Sequence, residues 1–239
     1  MPTNLLFGAD LEPHSCGYCT LLPSRRQVLT AIAGGVAALW DGRSAVAQTV
    51  LSPEAALTRL MAGNDSFVQG KLASLEEDLA ILKEHTASKQ EPFAAVLSCA
   101  DSRVPVELIF DQSIGHVFVT RVAGNVCTPE VIASLEFGAT VLGVPIIMVL
   151  GHDSCGAVKA SIDVKPVPGQ ISALYAPLRP AIDRAGPDLT ATIKANAQIQ
   201  AGLLRTASPV IAPLVKTGKA KVVAAYYDLA SGRVTVLDQ

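Results

Sequence analysis

Cys99-Ala100-Asp101-Ser102-Arg103 follows the apolar run Phe93–Leu97, and His152-Asp153-Ser154-Cys155 follows the apolar run Pro145–Leu150. Each run is short, bounded by turn signals and rich in branched or aliphatic residues, as in a strand buried on both faces of a parallel sheet. Each polar cluster then falls at the carboxyl end of its strand, the edge where open α/β sheets build their sites. With the two strands as neighbours, two thiols, an imidazole and a carboxylate converge on one spot. Two sulfurs, one nitrogen and one oxygen form a natural donor set for zinc.

In the first cluster Cys99, Asp101 and Arg103 stand at i, i+2 and i+4, which in extended chain is one face. Cys99 and Asp101 then reach one ion, with Arg103 in reach of Asp101. His152 and Cys155, three apart across a strand-to-helix turn, close on the same ion, and coordination keeps both sulfurs as thiolates. Cys99, His152 and Cys155 are the expected permanent ligands of one Zn2+ per subunit. Asp101 either fills the fourth place or leaves it to water. Arg103 decides which, because a bidentate pair with the guanidinium holds Asp101 off the metal. A free Asp101 accepts a hydrogen bond from water or hydroxide in that place and turns its lone pair toward an electrophile. Asp101 and Arg103 are therefore the expected catalytic residues. Each half-motif occurs by chance in many chains; the two together, each closing a buried strand, are a specific signal. A phosphatase loop is excluded, since it needs arginine six positions after the cysteine and Arg103 is four on. The competing structural reading, a Cys99–Cys155 disulfide, leaves the accompanying Asp, Arg and His without a purpose.

Around this centre the chain reads as alternating strands and helices. Ser52-Pro53-Glu54 is a helix start, with Leu57, Leu60, Met61, Asn64 and Phe67 at helical spacing and Gly70 as the stop. That helix reads as an N-terminal arm that packs on another subunit. A second helix is expected over Leu75–His85. Strands at Phe93–Ser98, Val117–Val122 and Pro145–Leu150 alternate with helices from Pro105, from Thr128-Pro129-Glu130 and from Cys155 or Gly156. The stretch Ile171–Thr206 reads as mostly helical, interrupted by Pro177, Pro180 and Pro187. Lys221–Asp228 and Val234–Leu237 flank Ser231-Gly232 as a hairpin at the sheet edge. The fold class is α/β: a mostly parallel central sheet with an antiparallel edge hairpin and helices on both faces. Cys127 reads as a plain thiol, His116 as a solvated loop residue, and Arg121 as an ion-pair partner at a subunit interface.

Half of the 239 residues are hydrophobic and 17% are charged, enough for one sizeable core and too apolar for disorder. A formal charge of −2 points neither to nucleic acid nor to an anionic membrane surface. The first 47 residues differ in kind. Ser24-Arg25-Arg26-Gln27-Val28-Leu29 opens an uncharged run through Trp40, and Ala45-Val46-Ala47 supplies a small-residue stop. A charged start, a short apolar middle and an A-x-A end describe a secretory signal, and the run is too short to span a bilayer. The paired arginines resemble a twin-arginine (Tat) signal, a route that exports folded proteins. Expected are a cleaved signal over 1–47, a single domain over 48–239, a partnership with the Tat machinery, a periplasmic or secreted location and no stable membrane insertion. Cys16 and Cys19 fall in the discarded part and read as incidental.

The motifs resemble the β-class carbonic anhydrases. The resemblance rests on Cys99-Ala100-Asp101-Ser102-Arg103-Val104-Pro105, Phe118-Val119-Thr120-Arg121-Val122-Ala123-Gly124-Asn125 and Gly151-His152-Asp153-Ser154-Cys155-Gly156-Ala157-Val158. The helix with Asn64 and Phe67 and the terminal hairpin are similar as well. The resemblance implies zinc on Cys99, His152 and Cys155, with Asp101 and Arg103 as a dyad. It implies reversible hydration of carbon dioxide to bicarbonate and a proton, and a homodimer or tetramer with the active site near the dimer interface. Family members with an allosteric bicarbonate site carry tryptophan three residues before the first cysteine; here that place is Val96, which implies no such site. Two alternatives stand beside this one: a non-catalytic zinc- or bicarbonate-binding relative, and a hydrolase of another small heteroallene such as carbon disulfide.

Overall fold

The computed structural model describes residues 50–74 and 89–237. The expected signal and the whole of the helix expected over Leu75–His85 lie outside the described residues. In chain order the elements are α1 (Pro53–Val68), β1 (Ala94–Ser98), α2 (Val106–Ile109), β2 (Val117–Arg121), α3 (Pro129–Thr140), β3 (Ile146–His152) and α4 (Gly156–Asp163). A 3-10 turn (Gly169–Leu174) leads to α5 (Tyr175–Ala185), α6 (Leu189–Thr206), α7 (Ile211–Lys216), β4 (Lys221–Tyr227) and β5 (Val234–Leu237).

The strands form one sheet in the order β2-β1-β3-β4-β5. β2, β1, β3 and β4 run parallel, and β5 closes the edge antiparallel to β4. Every residue of β1 and β3 is buried, because helices cover both faces and alternate side chains enter opposite cores. Ala94, Val96, Ile146, Met148, Leu150, Val223 and Ala225 pack with α1 and α2. Ala95, Leu97, Ile147, Val149, Val222 and Ala224 pack with α3, α6 and α7. From β1 the chain first steps out to β2, then returns to place β3 on the other side of β1. The order therefore reverses between β1 and β3, and a crevice at that switch point opens at the carboxyl ends of these two strands.

The helix caps are formed by the residues that the sequence singles out. Ser52 Oγ accepts the Ala55 N–H at 3.2 Å, and Thr128 Oγ1 accepts the Val131 N–H at 3.4 Å, each with proline next in the chain. The N-terminal helix α1 also packs on its own chain: its Ala56 and Leu60 lie in the core. The approach is close. A Cβ added at Gly63 would stand 1.8 Å from the Phe110 carbonyl oxygen. Asn64 makes the junction permanent, donating to the carbonyls of Ile109 (3.2 Å) and Gly232 (2.9 Å) and accepting from Val234 N–H at 2.8 Å.

The prolines act differently from the sequence expectation as well. α5 runs through both Pro177 and Pro180. Pro177 sits in the first turn, where a backbone N–H has no intrahelical acceptor to lose. The interruption falls instead at Gly186, with φ +73°, ahead of Pro187 and the Asp188 cap of α6. Among the described residues no helix is long and apolar enough to cross a membrane.

Candidate metal centre

Cys99 directly follows β1, His152 is the last residue of β3, and Cys155 is the N-cap residue of α4. The parallel pairing of Ser98 with Leu150 brings both strand ends to the same level. All three side chains are buried, and their donor atoms lie within 4.8 Å of one another. They are the one His/Cys/Asp/Glu group with this geometry among the described residues. Gly151 permits the approach of α6 beside the histidine, since a Cβ there would stand 3.0 Å from Ile193 Cγ2.

Two observations test whether zinc fits. The Cys99 and Cys155 sulfurs are 4.0 Å apart and both cysteines are free. A disulfide requires about 2.05 Å, whereas two bonds of about 2.3 Å at a tetrahedral angle set sulfurs roughly 3.8 Å apart. The second observation is His152 Nε2, fully buried and without a hydrogen-bond partner. Its ring partner nitrogen Nδ1 is 2.8 Å from the Asp153 carbonyl oxygen. A carbonyl can only accept, so Nδ1 carries the hydrogen and Nε2 presents its lone pair, the arrangement of a metal-ligating histidine. An unpaired buried nitrogen facing two thiols is costly unless something binds there. The residues fit zinc.

The hydrogen bond shared with Cys155 and the Gly124 N–H, 3.3 Å from the sulfur, hold the Cys99 thiol well below its ordinary range. The same shared bond and burial push the Cys155 thiol up. Cys127 is different: burial alone raises its thiol to about 12, which marks it as inert.

Asp101 and Arg103 stand between the buried donors and solvent, with side chains 20% and 52% exposed. Arg103 Nε donates to Asp101 Oδ1 at 2.9 Å and Nη2 to Oδ2 at 2.8 Å, a bidentate fork. This pairing does not come from an extended chain with one shared face. The segment turns: the Arg103 backbone N–H also donates to Asp101 Oδ1 at 3.0 Å, and the Val104 N–H to the Asp101 carbonyl at 3.1 Å. That Asx-type turn folds the guanidinium back onto the carboxylate. Asp101 Oδ2 lies 3.9 Å from His152 Nε2. Asp101 is thus beside the donor group rather than within it, with both oxygens already taken by Arg103. The bond from Arg103 holds the Asp101 carboxyl well below the usual carboxylate range.

Arg121 is the residue whose place the sequence reading missed. Instead of facing an acidic partner, its Nε donates to the Cys99 carbonyl at 2.9 Å and its Nη2 to the Asp101 carbonyl at 2.5 Å. The signal was the strand register, Ser98 opposite Arg121, which sets that guanidinium alongside the ligand turn. His116 is half-buried rather than solvated, with Nδ1 3.5 Å from Arg59 Nη2.

The carbonic anhydrase family profile matches residues 94–234, which includes the whole centre. Carbonic anhydrase 2 of Mycobacterium tuberculosis is 46% identical over 111 residues, covering 46% of this chain and 53% of that protein. The match spans about half the length of that relative. A carbonic anhydrase of Mycolicibacterium smegmatis is 36% identical over 194 residues, covering 77% of this chain and 92% of that protein. Among solved structures, two tetrameric β-carbonic anhydrases of Sordaria macrospora share the fold, with a TM-score of 0.62 at 21% identity over 77% of this chain and 97% of theirs. The fold and the donor cluster define a β-class carbonic anhydrase scaffold. The chain belongs to the carbonic anhydrase family.

Because Arg103 depresses Asp101, the pair contributes stability above pH of about 4 that is lost as pH falls toward the depressed value. We expect Arg103→Ala to return the Asp101 carboxyl to about pH 4, measured by carbon-13 NMR titration of the metal-free protein. A carboxyl that still resists protonation below about pH 2 in this variant would assign the shift elsewhere.

Proposed function

We propose that this chain is a zinc-dependent carbonic anhydrase, converting carbon dioxide and water to bicarbonate and a proton, and the reverse. The observation that carries the reading is Asp101, held by both oxygens on Arg103 while its Oδ2 stays 3.9 Å from His152 Nε2. Cys99, His152 and Cys155 would hold the metal. A fourth place is left for solvent or substrate, since Asp101 is kept from taking it. Bound there, zinc acts as a Lewis acid that brings the pKa of a water in its open position to near neutrality.

The chain's own residues do the rest. Arg103 keeps Asp101 ionised and aimed, so that carboxylate accepts a hydrogen bond from the attacking oxygen and orients it. Arg103 is itself steadied by the Ser154 carbonyl, 3.3 Å from Nη2. Arg121 fixes the backbone from which Cys99 and Asp101 project. Burial of the three donors excludes competing solvent and strengthens each electrostatic contact. A closed structural zinc site has no use for such a dyad, which argues against the non-catalytic alternative.

A homodimer or tetramer fits the surface. Phe137 on α3 and Val141, the residue that caps it, are each 45% exposed, and β2 forms an unpaired sheet edge beside them. Residues 1–47 support export by the twin-arginine route to the periplasm or beyond, with a single domain over 48–239.

We expect Asp101→Asn to keep one zinc per subunit while carbon dioxide hydration falls about 100-fold or more by stopped flow. Cys155→Ser should lose stoichiometric zinc. Full activity in the first variant, or full zinc in the second, would remove the assigned roles. For export, replacing Arg25 and Arg26 together by lysine should retain the full chain in the cytoplasmic fraction; unchanged export would rule out that route.

A further inference from the structure

Two amide side chains on α6 are buried to 1% exposure or less, Asn196 and Gln200, one helical turn apart. Their neighbours on that helix, Ala197, Ala201 and Leu204, are the apolar residues that a core-facing stripe calls for. Burying amides there is unfavourable unless every polar atom has a task. The tasks form a chain. The Cys127 N–H donates to Gln200 Oε1 at 2.8 Å. Gln200 Nε2 donates to Asn196 Oδ1 at 3.1 Å and to the Pro177 carbonyl at 3.2 Å. Asn196 Nδ2 donates to the Gly124 carbonyl at 2.8 Å. The Gly124 N–H donates to Cys99 Sγ at 3.3 Å.

We propose that Asn196 and Gln200 are positioning residues for the metal centre, pinning Gly124 so that its N–H stays on the Cys99 sulfur. The inference rests on the zinc reading above. Gly124 and Asn125 take successive left-handed conformations, φ +77° and +45°. Glycine and asparagine both tolerate this region, so the turn is permitted locally and its placement is left to the groups that hold it. The glycine itself is confined: a Cβ there would meet Leu178 Cδ1 at 3.3 Å. The Asn196 bond fixes one side of Gly124, leaving the other side aimed at the sulfur. An N–H donated to a metal-bound thiolate draws charge from it, which sets how strongly that sulfur donates to the ion. Helix α6 thereby tunes a ligand that lies on a different element.

The test uses the whole protein loaded with cobalt(II), read by its sulfur-to-cobalt charge-transfer band, and with zinc, read by chelator competition. Removing the N–H···S bond raises the sulfur donor level, so the band should move to lower energy in Asn196→Leu and in Gln200→Leu. Zinc should bind about 10-fold more weakly, because the sulfur loses its fixed position and, as a stronger base, holds its competing proton more tightly. Leu204→Ala, a cavity in the same helix outside the chain of amides, should lower the Tm and leave band and affinity unchanged. Should Asn196→Leu fail to fold, Gln200→Leu carries the same readouts. Amide variants that lower the Tm like Leu204→Ala, with band and affinity unmoved, would overturn the positioning role. Wild-type protein that binds neither ion would overturn the zinc reading itself, a distinct result.

Discussion

Everything in this molecule answers to one costly juxtaposition: two thiols and an imidazole nitrogen gathered in a space almost closed to water. Sulfurs 4.0 Å apart cannot both ionise there without a cation between them. An imidazole nitrogen with no partner cannot be buried cheaply either. A divalent ion resolves both problems at once, because it removes the protons from the thiols and takes the lone pair of the ring. The two members nearer solvent, Asp101 and Arg103, then satisfy each other and leave one face of such an ion unclaimed.

The sheet makes the gathering possible. Reversal of strand order between β1 and β3 puts two chain segments, whose cysteines are 56 residues apart in sequence, at the mouth of one crevice. Burial of both strands on both faces fixes their level to each other, since any slip would exchange the two cores. The ligand turn after β1 is then held from three directions. Arg121 reaches it from the neighbouring strand, Arg103 folds back within it, and Gly124 meets its sulfur from the loop after β2. This division of labour explains why so few of the residues near the ion are themselves donors.

Much of this was legible in the sequence, for physical reasons. Fully buried strands carry unbroken apolar runs, so β1 and β3 announced themselves, and the polar clusters that end them announced the crevice. Caps were legible because Ser52 and Thr128 each precede proline and an acid. Other features were not. Arg121 carries no motif of its own, and its role follows from strand register, a long-range property. Asn196 and Gln200 look like ordinary helix residues until the facing loop is known. The Asp101–Arg103 pair was foreseen with the wrong backbone, since spacing of two suits an extended chain and an Asx turn equally. Pro177 and Pro180 looked like breaks because position within a helix decides what a proline disrupts, and that position depends on where the helix begins.

The central claim is that Cys99, His152 and Cys155 meet at a single zinc with one position left to solvent. X-ray absorption at the zinc edge of the loaded protein at neutral pH tests it most directly. The account predicts two sulfurs at about 2.3 Å and two lighter atoms, one imidazole nitrogen and one oxygen, at about 2.0 Å. A shell without sulfur, or protein that takes up no zinc and shows Cys99 bonded to Cys155, would contradict it.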